Sequence, residues 1–152
     1  MSVVSLPQLK AGLGPGQCLL GLDLGSKTIG IAVADPAGVI ASPLTTIRRT
    51  KFTKDAVALR AIVDERQAGG LVLGLPISMD GSEGPRCQAT RQFAENLLGI
   101  FEIPIAFWDE RLSTAAIERL LINEADMNRK RRAEVIDKMA AAYILQGALD
   151  SL

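Results

Sequence analysis

The chain has 152 residues, 17 Lys and Arg against 17 Asp and Glu, and no histidine. That length fits one domain, and the balanced charge leaves no overall field for a polyanion, so any attraction to nucleic acid must come from local patches. Without histidine, a single chain has no Ser-His-Asp triad, no Cys-His pair and no His-ligated zinc, and acid–base work falls to carboxylates, lysine or metal-bound water.

Met1 to Gly16 has no charged-then-apolar signal pattern and reads as a flexible arm ahead of a single domain over 17–152. Its Gly-Leu-Gly-Pro-Gly tip lacks the Gly-Lys-Ser/Thr ending of a Walker loop. Cys18 to Leu24 reads as a buried strand, Gly25-Ser26-Lys27 as a tight turn and Ile29 to Ala34 as the returning strand. Val39 to Arg48 is a third strand, and Pro43 marks it as an edge strand or a bulged one. Arg48, Arg49 and Lys51 follow as a small basic cluster that reads as a solvated loop.

Asp55 to Gln67 has the spacing of an amphipathic helix, which Ala68-Gly69-Gly70 ends. Leu71 to Leu75 is a short strand stopped by Pro76, and Pro85 opens a helix to about Leu98. Ile103 to Trp108 is the last strand, Ser113 or Thr114 starts a helix through about Asn123, and Ala133 to Leu149 is a long final helix. The order β-β-β-α-β-α-β-α-α predicts an α/β fold: a three-stranded antiparallel meander joined by parallel strands in a mixed sheet, with helices on both faces. No apolar run reaches the roughly 18 residues of a membrane span. Cys18 and Cys87 make no disulfide framework, and both read as reduced thiols in a cytoplasmic protein.

Three places put acids where a sheet-and-helix core would gather them. Asp23 ends the first strand between glycines, Asp109 and Glu110 end the last, and Asp137 lies on the final helix. At roughly 100° per residue, Asp137 falls about 20° from Ile144, at the margin of the packed face. No basic residue stands three or four positions away from Asp137, so its partner must come from elsewhere. Clustered carboxylates suit hard divalent cations such as Mg²⁺ or Mn²⁺, and a pair of such ions can clamp a phosphodiester displacement. Each site also has a plainer reading: Asp23 as a turn cap, Arg111 neutralising Asp109 and Glu110 in a surface turn, and a basic partner for Asp137.

Four blocks in order, Gly21–Gly30, Gly74-Leu75-Pro76 with Asp80-Gly81-Ser82, Asp109–Thr114 and Ile136–Ala141, resemble the YqgF (RuvX) family over about residues 18 to 150. The resemblance implies an RNase H-like fold, shared with RuvC-type Holliday junction resolvases. It also implies a divalent-metal nuclease of the bacterial cytoplasm that matures the 5′ end of 16S rRNA or, by fold analogy, resolves DNA junctions. The family's acidic positions map onto Asp23, Glu110 (or Asp109, with Glu110 favoured) and Asp137. One departure is Thr28, where the family commonly has arginine.

Lys27, Arg86, Arg111 and the run holding Arg129, Arg131 and Arg132 could form a positive rim around this acidic centre, suited to a phosphate backbone. The expected partner is therefore structured nucleic acid, either pre-rRNA or branched DNA, bound by a monomer or a homodimer. Two other classes fit less well. An actin, Hsp70 or sugar-kinase type of ATP-binding domain shares the first loop, but such proteins close two domains over the nucleotide. A non-catalytic binding module would have no need of all the acids.

Overall fold

The computed structural model describes residues 3–112 and 129–152, with side chains of the last helix described from residue 136. Strands β1 (Cys18–Leu24), β2 (Thr28–Ala34) and β3 (Ala41–Arg48) are joined by short turns, which force antiparallel pairing. Helix α2 (Phe52–Arg66) then carries the chain across to β4 (Ala68–Leu75), and α3 (Pro85–Leu98) carries it to β5 (Ile105–Asp109). A helical crossover returns the next strand in the same direction, so β4 is parallel to β1 and β5 to β4. The five-stranded order is β3-β2-β1-β4-β5. As expected, β3 is an edge strand, and its register shifts beside Pro43.

Strand alternation divides the side chains between two cores. Leu20, Leu22, Ile29, Ile31, Leu71 and Leu73 pack with Leu59 of α2 and Leu97 of α3 on one face. Leu19, Ala32, Val72 and Ala106 pack on the other, against Ala141, Ile144, Leu145 and Ala148 of α4 (Arg129–Asp150). The mixed sheet with helices on both faces is the architecture expected. The helix expected from Ser113 or Thr114 lies outside the described residues. Helix α4 begins four positions earlier than Ala133, so the basic run belongs to the helix itself.

Two local readings are corrected. The segment expected to be a flexible arm holds helix α1 (Leu6–Ala11), capped reciprocally by Ser5 and Gln8: the Gln8 amide donates to Ser5 Oγ and the Ser5 amide to Gln8 Oε1. Leu9 is fully buried against the α4-side core, and the Val4 amide donates to the Ile105 carbonyl at 2.8 Å, so the segment is anchored. Ala68, Gly69 and Gly70, expected to end a helix, open β4 instead. Gln67 takes the left-handed conformation (φ 53°, ψ 48°) and ends α2 one residue before them. Gly70 then pairs with Leu19, and a Cβ on it would stand 2.6 Å from Leu9 Cδ1, so α1 needs a bare strand there.

Candidate active site

Asp23 is the last residue of β1 to point toward α4, because Leu19 and Gly21 before it face that helix. It is 2% exposed. On β2 its register partner is Gly30, and on β4 its neighbour is Gly74, which follows the Leu22–Leu73 pair. Glycine at these two positions leaves the sheet bare on either side of Asp23, and each gap admits a further acidic residue.

Over Gly30 passes the main chain of α4, with the Asp137 carbonyl where a Cβ would lie. Asp137 heads the stripe that continues through Ala141, Ile144 and Ala148, and this spacing carries it onto the sheet at the level of Asp23. The Thr28 hydroxyl donates to Asp137 Oδ2, which lies 3.7 Å from the position of a Cβ on Gly25. Thr28 is itself 9% exposed, so a residue that sequence comparison marked only as a departure from arginine is a buried contact of an acid.

Over Gly74 lies Glu110. A short 3-10 turn (Glu110–Leu112) follows β5, and Glu110 Oε1 reaches 2.6 Å from where a Gly74 Cβ would be. Asp109 goes the other way. In β5, Ala106 and Trp108 face α4 while Ile105 and Phe107 face α2 and α3, so alternation sends Asp109 to the far side. There Arg111 clasps it, with Nη2 donating to Oδ2 at 2.7 Å and Nε to Oδ1 at 3.1 Å. That hydrogen-bonded guanidinium holds the Asp109 carboxyl below its usual range.

Sequence reasoning grouped Asp23, Asp109, Glu110 and Asp137 as metal ligands. The structure brings three of them to one face and separates Asp109. Among the described residues no three Asp, Glu or Cys side chains already close into a metal-holding group. Asp137 is turned toward Thr28, and Glu110 lies along Gly74.

The basic rim is only partly as expected. Lys27 and Arg86 are exposed beside the Gly25 turn, with Arg86 Nη2 donating to the Leu24 carbonyl at 3.3 Å. Arg111, expected to meet nucleic acid, is committed to Asp109 and also donates to the Ser78 carbonyl at 3.4 Å. The side chains of Arg129, Arg131 and Arg132 lie outside the described residues. Arg49, which reads in sequence as part of a solvated loop, is half-buried at the turn, with Nη1 donating to the Gly25 carbonyl at 2.7 Å. The missed signal was register: Arg48 pairs with Thr28, so the residue after it must return to the Asp23 turn.

The sequence model of the RuvX family, described as Holliday junction resolvase, matches residues 17–151. A Rhodospirillum rubrum protein named "Putative pre-16S rRNA nuclease" is 60% identical over 152 residues, covering 100% of this chain and 94% of that protein. One of the same name from Paramagnetospirillum magneticum is 62% identical over 151 residues, covering 99% and 97%. Among solved structures, T. thermophilus RuvC in complex with Holliday junction substrate has a TM-score of 0.55 at 11% identity, covering 89% of this chain and 94% of that one. The fowlpox virus Holliday junction resolvase has a TM-score of 0.50 at 12% identity, covering 90% and 100%. These two likenesses are of fold, the RNase H-like arrangement of a mixed sheet between helices.

Proposed function

The chain belongs to the RuvX family, and we propose that it is a divalent-metal-dependent nuclease of the cytoplasm that trims the 5′ end of pre-16S rRNA. The observation that supports this reading is that Asp23, Glu110 and Asp137 stand on one sheet face, Glu110 over Gly74 and Asp137 over Gly30 on either side of Asp23. The names of the full-length relatives support the RNA substrate, and the family description supports a DNA junction as second reading.

The donor set suits Mg²⁺ or Mn²⁺, since all three side chains offer hard carboxylate oxygens and the chain has no histidine to draw a softer metal. Asp23, Glu110 and Asp137 would hold the cation, with Asp137 turning from Thr28. When bound, the ion supplies Lewis-acid stabilisation of the charge that develops on the phosphoryl oxygens. Asp23 is carried by its strand, Glu110 by the turn after β5 and Asp137 by α4, so the backbone sets where each group starts and Asp137 has still to turn from Thr28.

The test is incubation with a pre-16S rRNA fragment and a four-way DNA junction side by side, with and without Mn²⁺. Metal-dependent cutting of the RNA is the expected result. Cutting of the junction alone transfers the assignment to junction resolution, and no metal-dependent cutting of either rejects the nuclease reading. Under the same conditions Glu110→Gln should lower the cleavage rate by more than about 100-fold, beyond what loss of an outer-shell partner costs. Asp109→Asn should stay within about 10-fold of the parent, since it removes only the partner of Arg111 on the opposite face. Reversal of that order would return the second acidic position to Asp109.

A further inference from the structure

On the side of the Asp23 turn away from α4, a cavity of about 280 Å³ is lined by Gly25, Ser26, Arg49, Arg86, Thr90 and Phe93, among others. Two arginines reach the same turn from different elements. Arg49, just beyond β3, donates to the Gly25 carbonyl and lies 5.8 Å from the centre of the Phe93 ring. Arg86, in the first turn of α3, donates to the adjoining Leu24 carbonyl. Each guanidinium carries five N–H donors, and one such bond apiece leaves most of them for another acceptor.

Arg60, Arg91 and Arg111 are each matched to a carboxylate, whereas neither Arg49 nor Arg86 has one within ion-pair distance among the described residues. The same cavity meets the start of the 14-residue helix α3. Gly84 caps that helix without any side-chain hydrogen bond, and Pro85 is its first residue. The free amides and the helix dipole there favour an anion.

Leu24 and Gly25 directly follow Asp23, so this cationic cavity and the three acids share one turn. We propose that Arg49 and Arg86, backed by the N-terminus of α3, bind a substrate phosphate near the one that is cut. The ligand class is a phosphodiester of the nucleic-acid backbone, and the inference rests on the nuclease reading above. Two guanidinium forks would grip its non-bridging oxygens, and the Phe93 ring lies within cation–π reach of the Arg49 fork. A strand held at this point crosses the tip of the turn and delivers its neighbouring phosphate toward Asp23. The site reads backbone and position, without base identity.

The test measures binding apart from cleavage. In an Asp23→Asn background, anisotropy of a labelled pre-16S rRNA fragment is followed from 50 to 300 mM KCl, with and without Arg49→Ala/Arg86→Ala. The double change should weaken binding at least 10-fold at 100 mM, and the log–log salt slope should fall by about 0.7–0.9, as for one lost phosphate contact. Arg60→Ala should leave both unchanged. The Arg49→Lys/Arg86→Lys pair should recover most of the slope, which a purely structural role would not produce. If the alanine pair unfolds, Arg86→Ala alone is read, since that side chain is exposed, and part of the same loss is expected. Unchanged affinity and slope overturn this site while leaving the nuclease reading intact. Absence of RNA binding by the parent would instead count against the pre-rRNA reading itself and overturn this site as an RNA-backbone site with it. A third arm adds inorganic phosphate: stabilisation of the parent that the alanine pair loses, with RNA binding unaltered, would identify a free-anion site and also overturn the proposal.

Discussion

Asp23→Asn will abolish metal-dependent cleavage, a fall of about 10³-fold or more, and leave a folded protein. The change is isosteric, so the site, which is 2% exposed, keeps its packing. The variant should therefore still unfold in one cooperative transition. A second readout separates loss of metal from loss of chemistry. Mn²⁺ at about a hundred times its Kd should stabilise the parent by ~2.7 kcal/mol, or roughly 5–10 °C for a domain of this size. In the variant that shift should fall to less than half. Cleavage that survives together with a full Mn²⁺ shift would show that Asp23 belongs only to the turn.

Much of the fold is legible where local signals agree. The apolar run of β1, the glycine turn after it and Pro85 at the start of α3 each name an element and its boundary. The misreadings come from residues whose role is set by distant parts of the chain. Gly69 and Gly70 carry the chemistry of a helix stop, yet they form a strand because Leu9 and Leu13 lie against them. Helix α1 was hidden by the glycines that follow it, although Ser5 and Gln8 had the spacing of a capping box.

The acids were legible as types and only partly as a site. Asp23 and Asp137 stand out because each is a carboxylate at the edge of an apolar pattern. Asp109 and Glu110 cannot be told apart from sequence, because the two-residue alternation that assigns a face stops where the 3-10 turn begins. Coordinates separate them through two neighbours, Gly74 beneath Glu110 and Arg111 around Asp109. Thr28 shows the same limit. Its strand position was readable, but its bond to Asp137 joins residues 109 positions apart and depends on where α4 crosses β2.

That crossing is the most demanding contact around the acids, and Gly30→Ala tests it. The new methyl would overlap the Asp137 carbonyl and come within 2.9 Å of the Lys138 amide nitrogen. Both are main-chain groups, so no side chain can swing aside and α4 itself must move. Overpacking of this kind costs about 3 kcal/mol, which lowers the melting temperature by roughly 6–12 °C and still leaves most chains of ordinary stability folded. Cleavage should fall much further than the folded fraction, by more than about 100-fold, because the outward shift carries Asp137 away from Asp23 while Glu110 stays in place. Gly99→Ala is the control: its Cβ would meet nothing closer than 3.4 Å, so both properties should stay near those of the parent. Loss of stability and activity in Gly30→Ala alone would tie the position of the third acid to a missing side chain on β2. A Gly30→Ala protein that melts within about 2 °C of the parent and cuts at its rate would mean that α4 does not bear on β2 there, and Asp137 would then have to reach the site by another path.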